Sequence, residues 1–328
     1  MELARPEEPG FSPARLARIS ATMRQYIERR QFAGIVTLLA RRGRVVHFET
    51  AGMLDIEAAK TMRRDAIFRI YSMTKPIIST AVMILLEESR LRLGDALGSY
   101  LPVFKDMKVL QAKPGGDFSL VAAQRDITIK DLLTHTSGLS YGFEPSSYLD
   151  EIYRKKIWNR VESAEGLALE DVVSELARLP LAFQPGKAFR YSMATDVLGY
   201  LVQVLSAKPL DVFLKERIFE PLGMQDTSFW VPYEKVGRFT AVYGPVEEGG
   251  LKLVETPLIR DYTRPARFLS GGGGLVSNTE DYLRFCQMLL NKGRMGSARI
   301  LGRKSVELMF MNHLAPDVPF TDPGYGFG

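Results

Sequence analysis

Ser72-Met73-Thr74-Lys75 sets a hydroxyl and an amine three residues apart at the head of the most apolar helical stretch in the chain. Side chains at that spacing share a helix face, so the amine can lie beside the hydroxyl, and helix N-terminal N–H groups can steady a forming oxyanion. For Lys75 to take a proton near neutral pH, burial and nearby positive groups must bring it well below the reference value of roughly 10.4. About one S-x-x-K arises by chance in a chain of this size, so its weight comes from its strand-to-helix setting. No other serine here has a lysine three residues on. Taken alone, the pair also reads as an N-cap and a solvated lysine. A second candidate is Tyr191, in Gln184–Met193 just before a helix over Thr195–Leu205. A phenol at a loop-to-helix junction can point into a cleft and pass protons between a serine, a lysine and a leaving group.

The elements that must position these residues are legible from periodicity. Leu16, Ile19, Met23 and Ile27 recur at helical spacing behind Ser12-Pro13. Gly34–Ala40, a turn over Arg41–Arg44 and Val45–Thr50 read as a β-hairpin, and Ile67–Ile70 as a short strand. Ser72–Arg90 reads as a helix with a wide apolar face, much of it buried. From about Leu91 to Pro265 short helices dominate, at Ile129–Leu133, Leu169–Leu179, Thr195–Leu205 and Leu210–Phe219, with strand alternation only near Phe229–Val242. After Gly271–Gly274 come a strand at Leu275-Val276 and a helix to Leu290, with Ser277 and Glu280 at capping-box spacing. The expected division is an α/β lobe from residues 1–90 and 266–328 and a mainly helical lobe over 91–265.

Five blocks in order carry a family resemblance: Tyr71-Ser72-Met73-Thr74-Lys75-Pro76; Ile129–Leu139, containing Leu-Leu-Thr-His-Thr-Ser-Gly; Pro185-Gly186 before Tyr191-Ser192; Ile218–Met224; and Gly271–Leu275 with Asp281-Tyr282. The chain resembles the serine β-lactamase and penicillin-binding-protein superfamily from about residue 10 onward, and within it the family VIII carboxylesterases. That resemblance implies an α/β (α+β) fold, an antiparallel sheet flanked by helices with a mainly helical inserted lobe. By position it implies Ser72 as acylated nucleophile, Lys75 as its general base and Tyr191 as partner in the proton work, with the Ser72 N–H as one oxyanion donor. His135 falls in a block that is structural in the family. With His47 on a strand, His313 in a late loop and no G-x-S-x-G elbow, a Ser-His-Asp triad is disfavoured.

One departure bears on substrate. Class C β-lactamases carry Tyr-x-Asn where this chain has Tyr191-Ser192-Met193, and methionine cannot donate the hydrogen bond that reads an amide carbonyl. Short-chain carboxylic esters are the expected substrates, with Tyr141, Phe143, Tyr148, Trp158, Phe189 and Met193 as candidate walls of the substrate slot. The alternatives are a β-lactamase or D-amino-acid peptidase, an acyltransferase, and a catalytically silent ligand-binding relative. Relatives continue past a block like Pro323–Gly328 into strands that bear a third motif and a second oxyanion donor. A chain ending there is expected to lack both.

Composition closes off other classes. With 46% hydrophobic and 25% charged residues in 328, the chain can bury a large core, which excludes disorder, collagen and coiled coil. A net charge of +5, with Arg15, Arg18, Arg24, Arg29 and Arg30 scattered on the first helix, reads as a solvated face rather than a nucleic-acid footprint. One cysteine and three scattered histidines supply neither a disulfide nor a zinc set. Gly271–Gly274 lacks the sequence of a phosphate loop and reads as tight backbone packing, so no metal or cofactor is expected. There is no apolar leader near Met1 and no uncharged apolar run of about 18 residues, so a cytoplasmic protein without membrane partners is expected.

Overall fold

A computed structural model describes residues 3–113, 117–161, 166–247, 249–254 and 261–318. The Pro323–Gly328 block lies outside the described residues. The chain opens with α1 (Pro13–Glu28), then the strands β1 (Gly34–Arg41), β2 (Arg44–Asp55), β3 (Lys60–Thr61) and β4 (Phe68–Arg69). A 3-10 turn at Tyr71–Met73 leads into α2 (Thr74–Glu87). The hairpin β5 (Lys108–Ala112) and β6 (Phe118–Ala122) precedes α3 (Ile129–Leu133), α4 (Tyr148–Tyr153), α5 (Asn159–Val161) and α6 (Leu169–Leu176). Next come α7 (Ala194–Ser206), α8 (Leu210–Leu214), α9 (Glu220–Leu222) and the short strands β7 (Tyr243–Pro245), β8 (Leu251–Leu253) and β9 (Val276–Ser277). The described chain finishes with α10 (Thr279–Leu290), β10 (Arg294–Met295), β11 (Ala298–Arg299) and α11 (Arg303–Met309).

All of the described strand ladders are antiparallel, and the largest sheet has the order β1-β2-β3. The chain separates into two compact units, one of residues 1–69, 222–265 and 276–290 and the other of residues 70–221, 266–275 and 291–328. The cut expected at 90 falls at 69 instead, while one again falls at 265, and packing explains which segments each unit takes. Helix α2 buries Ile77, Ile78, Ala81, Val82 and Leu85 and packs on α7, which buries Val197, Leu198, Leu201 and Val202, so it belongs to the second unit. Residues from 222–265 instead join the first unit, where Val231 and Tyr262 share a core with Ile67 and Val276.

Other local differences have equally plain causes. The expected strand near Phe229–Val242 is replaced by two isolated bridges, Ser228 to Val276 and Phe239 to Ile67, on either side of a 3-10 turn at Tyr233–Arg238. Helix α10 is capped not by Ser277 and Glu280 but by Asn278, whose Oδ1 accepts from the Asp281 N–H at 2.8 Å. Ser277 Oγ instead lies 2.7 Å from Thr227 Oγ1 in the buried interior. No single described helix is long and apolar enough to cross a membrane.

Candidate active site

The second unit contains the whole constellation. The expected single helix from Ser72 starts at Thr74, and Ser72 itself rides on the preceding 3-10 turn. Tyr71, just before it, is held at φ +42°, a left-handed conformation that costs an L-residue energy and that clusters at functional sites. The turn is tied down on both sides: Ile70 N–H donates to Leu275 O at 3.0 Å, and Leu275 N–H donates to Thr74 Oγ1 at 3.2 Å. Ser72 is thereby left exposed at a fixed place beside the Gly271–Gly274 segment.

Lys75 is half-buried and its Nζ has three oxygen neighbours. Gly272 O lies at 2.6 Å, Tyr141 Oη at 3.1 Å and Ser72 Oγ at 3.2 Å. Burial lowers the lysine to about 8, with the Asp196 carboxyl partly opposing that fall. On the other side of the serine, Tyr191 Oη donates to Ser72 Oγ at 2.6 Å. The Lys75 Nζ also sits 4.4 Å from the centre of the Tyr191 ring. The structure therefore brings Ser72, Lys75 and Tyr191 together, and adds Tyr141, which sequence reasoning had placed only among the slot walls.

Two buried polar clusters hold the tyrosines. His135, at φ +54°, accepts the Ser192 N–H on Nδ1 at 3.2 Å, while its own carbonyl accepts the Arg190 N–H at 2.8 Å. This pins the segment that carries Tyr191, whose ring lies 4.9 Å from the imidazole. Burial, helped by the nearby Lys75 charge, lowers His135 to about 3, so it is neutral and carries its proton on Nε2. Near Tyr141, Arg190 donates to Ser140 Oγ and to the buried Asp150 Oδ1, both at 2.9 Å, and Ser140 Oγ donates to the same carboxylate oxygen at 2.5 Å.

The aromatic residues divide. Phe143 stacks on Tyr141 at 4.6 Å and is 62% exposed, and Trp158 lies parallel to Tyr141 with its indole N–H on the Tyr141 carbonyl at 2.6 Å. Tyr141 in turn stacks against Tyr191 at 5.3 Å, so a continuous aromatic bank borders the serine. Phe189 packs instead against His135, and Tyr148 against Phe118 on β6. Met193 is the exception: it is fully buried at the N-cap of α7 and presents no surface to a substrate, so the expected contact is not formed.

Sequence reasoning missed Asp196. It is wholly buried on the first turn of α7, and its Oδ1 accepts from Ser270 Oγ at 2.6 Å and from the Gly272 N–H at 3.1 Å. A lone acidic residue among Val197, Leu198 and Leu201 on a strongly apolar helix was the signal available. The expected tight packing at the glycines is present: a Cβ on Gly271 would sit 2.4 Å from Thr195 O, and one on Gly272 would sit 2.2 Å from Tyr141 Oη. Among the described residues, no group of three or more His, Cys, Asp or Glu is placed to hold a metal ion.

An exposed serine between a lysine and a phenol, on a turn leading into a buried helix, can do the chemistry of a serine hydrolase, and the fold is β-lactamase and transpeptidase-like. The chain belongs to the β-lactamase family, whose family model, Beta-lactamase, matches residues 19–328. It is 36% identical over 317 residues to Protein Rv1367c of Mycobacterium tuberculosis, spanning 94% of this chain and 76% of that protein. Esterase EstB of Burkholderia gladioli is 29% identical over 331 residues, 95% of this chain and 78% of the esterase. Among solved structures, EstCE1, described as a hydrolase with promiscuous acyltransferase activity, superposes with a TM-score of 0.75 at 28% identity, covering 89% of this chain and 76% of its own.

Proposed function

We propose that this serine hydrolase cleaves small carboxylic esters through an acyl-enzyme on Ser72. The observation that carries the reading is the serine oxygen held between Lys75 Nζ at 3.2 Å and Tyr191 Oη at 2.6 Å. Gly272 O can only accept, so it always takes one lysine N–H, and a neutral amine can turn its lone pair toward the Ser72 hydroxyl. In this scheme Lys75 removes the hydroxyl proton as Ser72 Oγ bonds to the acyl carbon, and the Ser72 N–H receives the oxyanion. Collapse breaks the ester C–O bond, and the alcohol leaves with a proton relayed through Tyr191 and Lys75. Water, deprotonated by the same pair, then attacks the acyl carbon and returns the proton to Ser72 as the acid departs. Esters are favoured over amides because Met193 stands, buried, where an amide-reading asparagine would be needed. The similarity to Esterase EstB supports the same substrate class.

The test is turnover of a short-chain p-nitrophenyl ester and adduct formation with a fluorophosphonate. Ser72→Ala is expected to lower kcat/KM by about a thousandfold or more and to lose the adduct; undiminished turnover in the variant refutes the reading. A chromogenic cephalosporin hydrolysed as fast as the ester would favour an amide hydrolase. An added alcohol that outcompetes water for the acyl group would favour the acyltransferase activity described for EstCE1.

A further inference from the structure

Lys75 and Asp196 grip opposite ends of one residue. The lysine donates to the Gly272 carbonyl at 2.6 Å, and the carboxylate takes the Gly272 N–H at 3.1 Å while Ser270 Oγ holds the same carboxylate oxygen at 2.6 Å. The other oxygen, Oδ2, is buried with no hydrogen-bond partner among the described residues. It faces the spot above Gly272 where a Cβ would lie 2.6 Å from it and 2.2 Å from Tyr141 Oη, the phenol that also contacts Lys75. An orphaned carboxylate oxygen in a fully buried place is costly and calls for a compensating interaction.

We propose that Asp196 is a positioning residue for Lys75: it fixes Gly272 so that its carbonyl stays on the lysine Nζ, and it supplies the counter-charge to the buried ammonium. The groups that face Lys75 are Ser72 from the turn before α2, His135 and Tyr141 from the α3–α4 connection, Tyr191 from the segment before α7, Gly272 O, and Asp196 from α7. Among these described groups Asp196 is the one carboxylate, and its charge favours the ammonium form of Lys75. Burial pushes Asp196 upward, and Ser270, Gly272 and Lys75 pull it back toward the ionised form. Burial pulls Lys75 downward and Asp196 pulls it back up, so the two groups are coupled through the same glycine.

This rests on Lys75 serving Ser72 in the proposed ester hydrolysis, but it is read without turnover. In protein labelled with 13C-lysine, the Lys75 13Cε resonance is assigned by its absence in Lys75→Arg and titrated with pH. Asp196→Asn keeps an oxygen for Ser270 and Gly272 but removes the charge; the Lys75 midpoint is expected to fall by about one pH unit. The acid limb of kcat/KM for the ester is expected to move the same way. An unchanged midpoint in folded Asp196→Asn overturns the proposal. Should that variant not fold, Ser270→Ala, which loosens the carboxylate without touching Lys75, is expected to lower the midpoint by less, and no movement there overturns it equally. A falling midpoint in a protein that hydrolyses no ester upholds the coupling and refutes the ester reading alone.

Discussion

Acid is expected to weaken this protein through His135, and the effect can be isolated. The imidazole is buried and neutral, lowered from 6.5 to about 3 by burial and by the Lys75 charge. Below pH 6.5 the unfolded chain therefore binds a proton that the folded chain refuses, and stability falls as pH drops until about pH 3. The slope is about 1.4 kcal/mol per pH unit for one proton, so the window from pH 6.5 to 4.5 gives a loss of about 2 to 3 kcal/mol. Asp281, whose burial pushes its carboxyl up, opposes this trend because the folded state keeps that proton to higher pH than the unfolded chain. The reading is therefore the difference between wild type and His135→Asn. Asparagine suits the site because it tolerates the φ of +54° and can accept the Ser192 N–H. Urea titrations followed by tryptophan fluorescence at pH 7, 6, 5 and 4.5 should show the variant losing less stability on acidification. Parallel slopes in the two proteins would refute the assignment of a buried neutral histidine.

Two further outcomes follow from close contacts. Gly272→Ala drives a methyl into Tyr141 Oη and Asp196 Oδ2, so it should cost about 1 to 3 kcal/mol and depress ester turnover, measured as a lower Tm and kcat. Asp131 accepts both Arg125 nitrogens at 2.6 and 2.9 Å, the Thr128 N–H and hydroxyl at 2.8 Å, and Thr136 Oγ1 at 3.1 Å. Asp131→Ala should therefore destabilise by about 3 kcal/mol in chemical denaturation while fluorophosphonate labelling of the folded fraction continues.

The part of the site legible in the sequence was the part written locally. Ser72 and Lys75 meet because three residues bring them to one side of a turn, and Tyr191 was marked by its junction with a helix. Tyr141 and Gly272 reach Lys75 across 66 and 197 residues, and no periodicity encodes such a meeting. Asp196 was hidden for the same reason, since its partners come from residues 270 and 272. In the fold, the β1–β2 hairpin followed from its apolar run and turn. The β5–β6 hairpin escaped because its strands are short and largely exposed, so they carry little hydrophobic pattern to read. The stretch after Phe229 read as a strand because its apolar residues are buried, yet they are buried singly, by Tyr262, Ile67 and Val276, not along a ladder.

The lysine's firmest contact is with the main chain. A backbone carbonyl neither ionises nor disappears when a side chain is exchanged, so the anchor on Lys75 is present at every pH and in every variant that keeps the loop's path. What sequence change can alter is only the carbonyl's aim, through the residues that thread the glycines past α7. In the proposed scheme Lys75 is thus adjusted through the main chain at Gly272, which Asp196 holds from the other end.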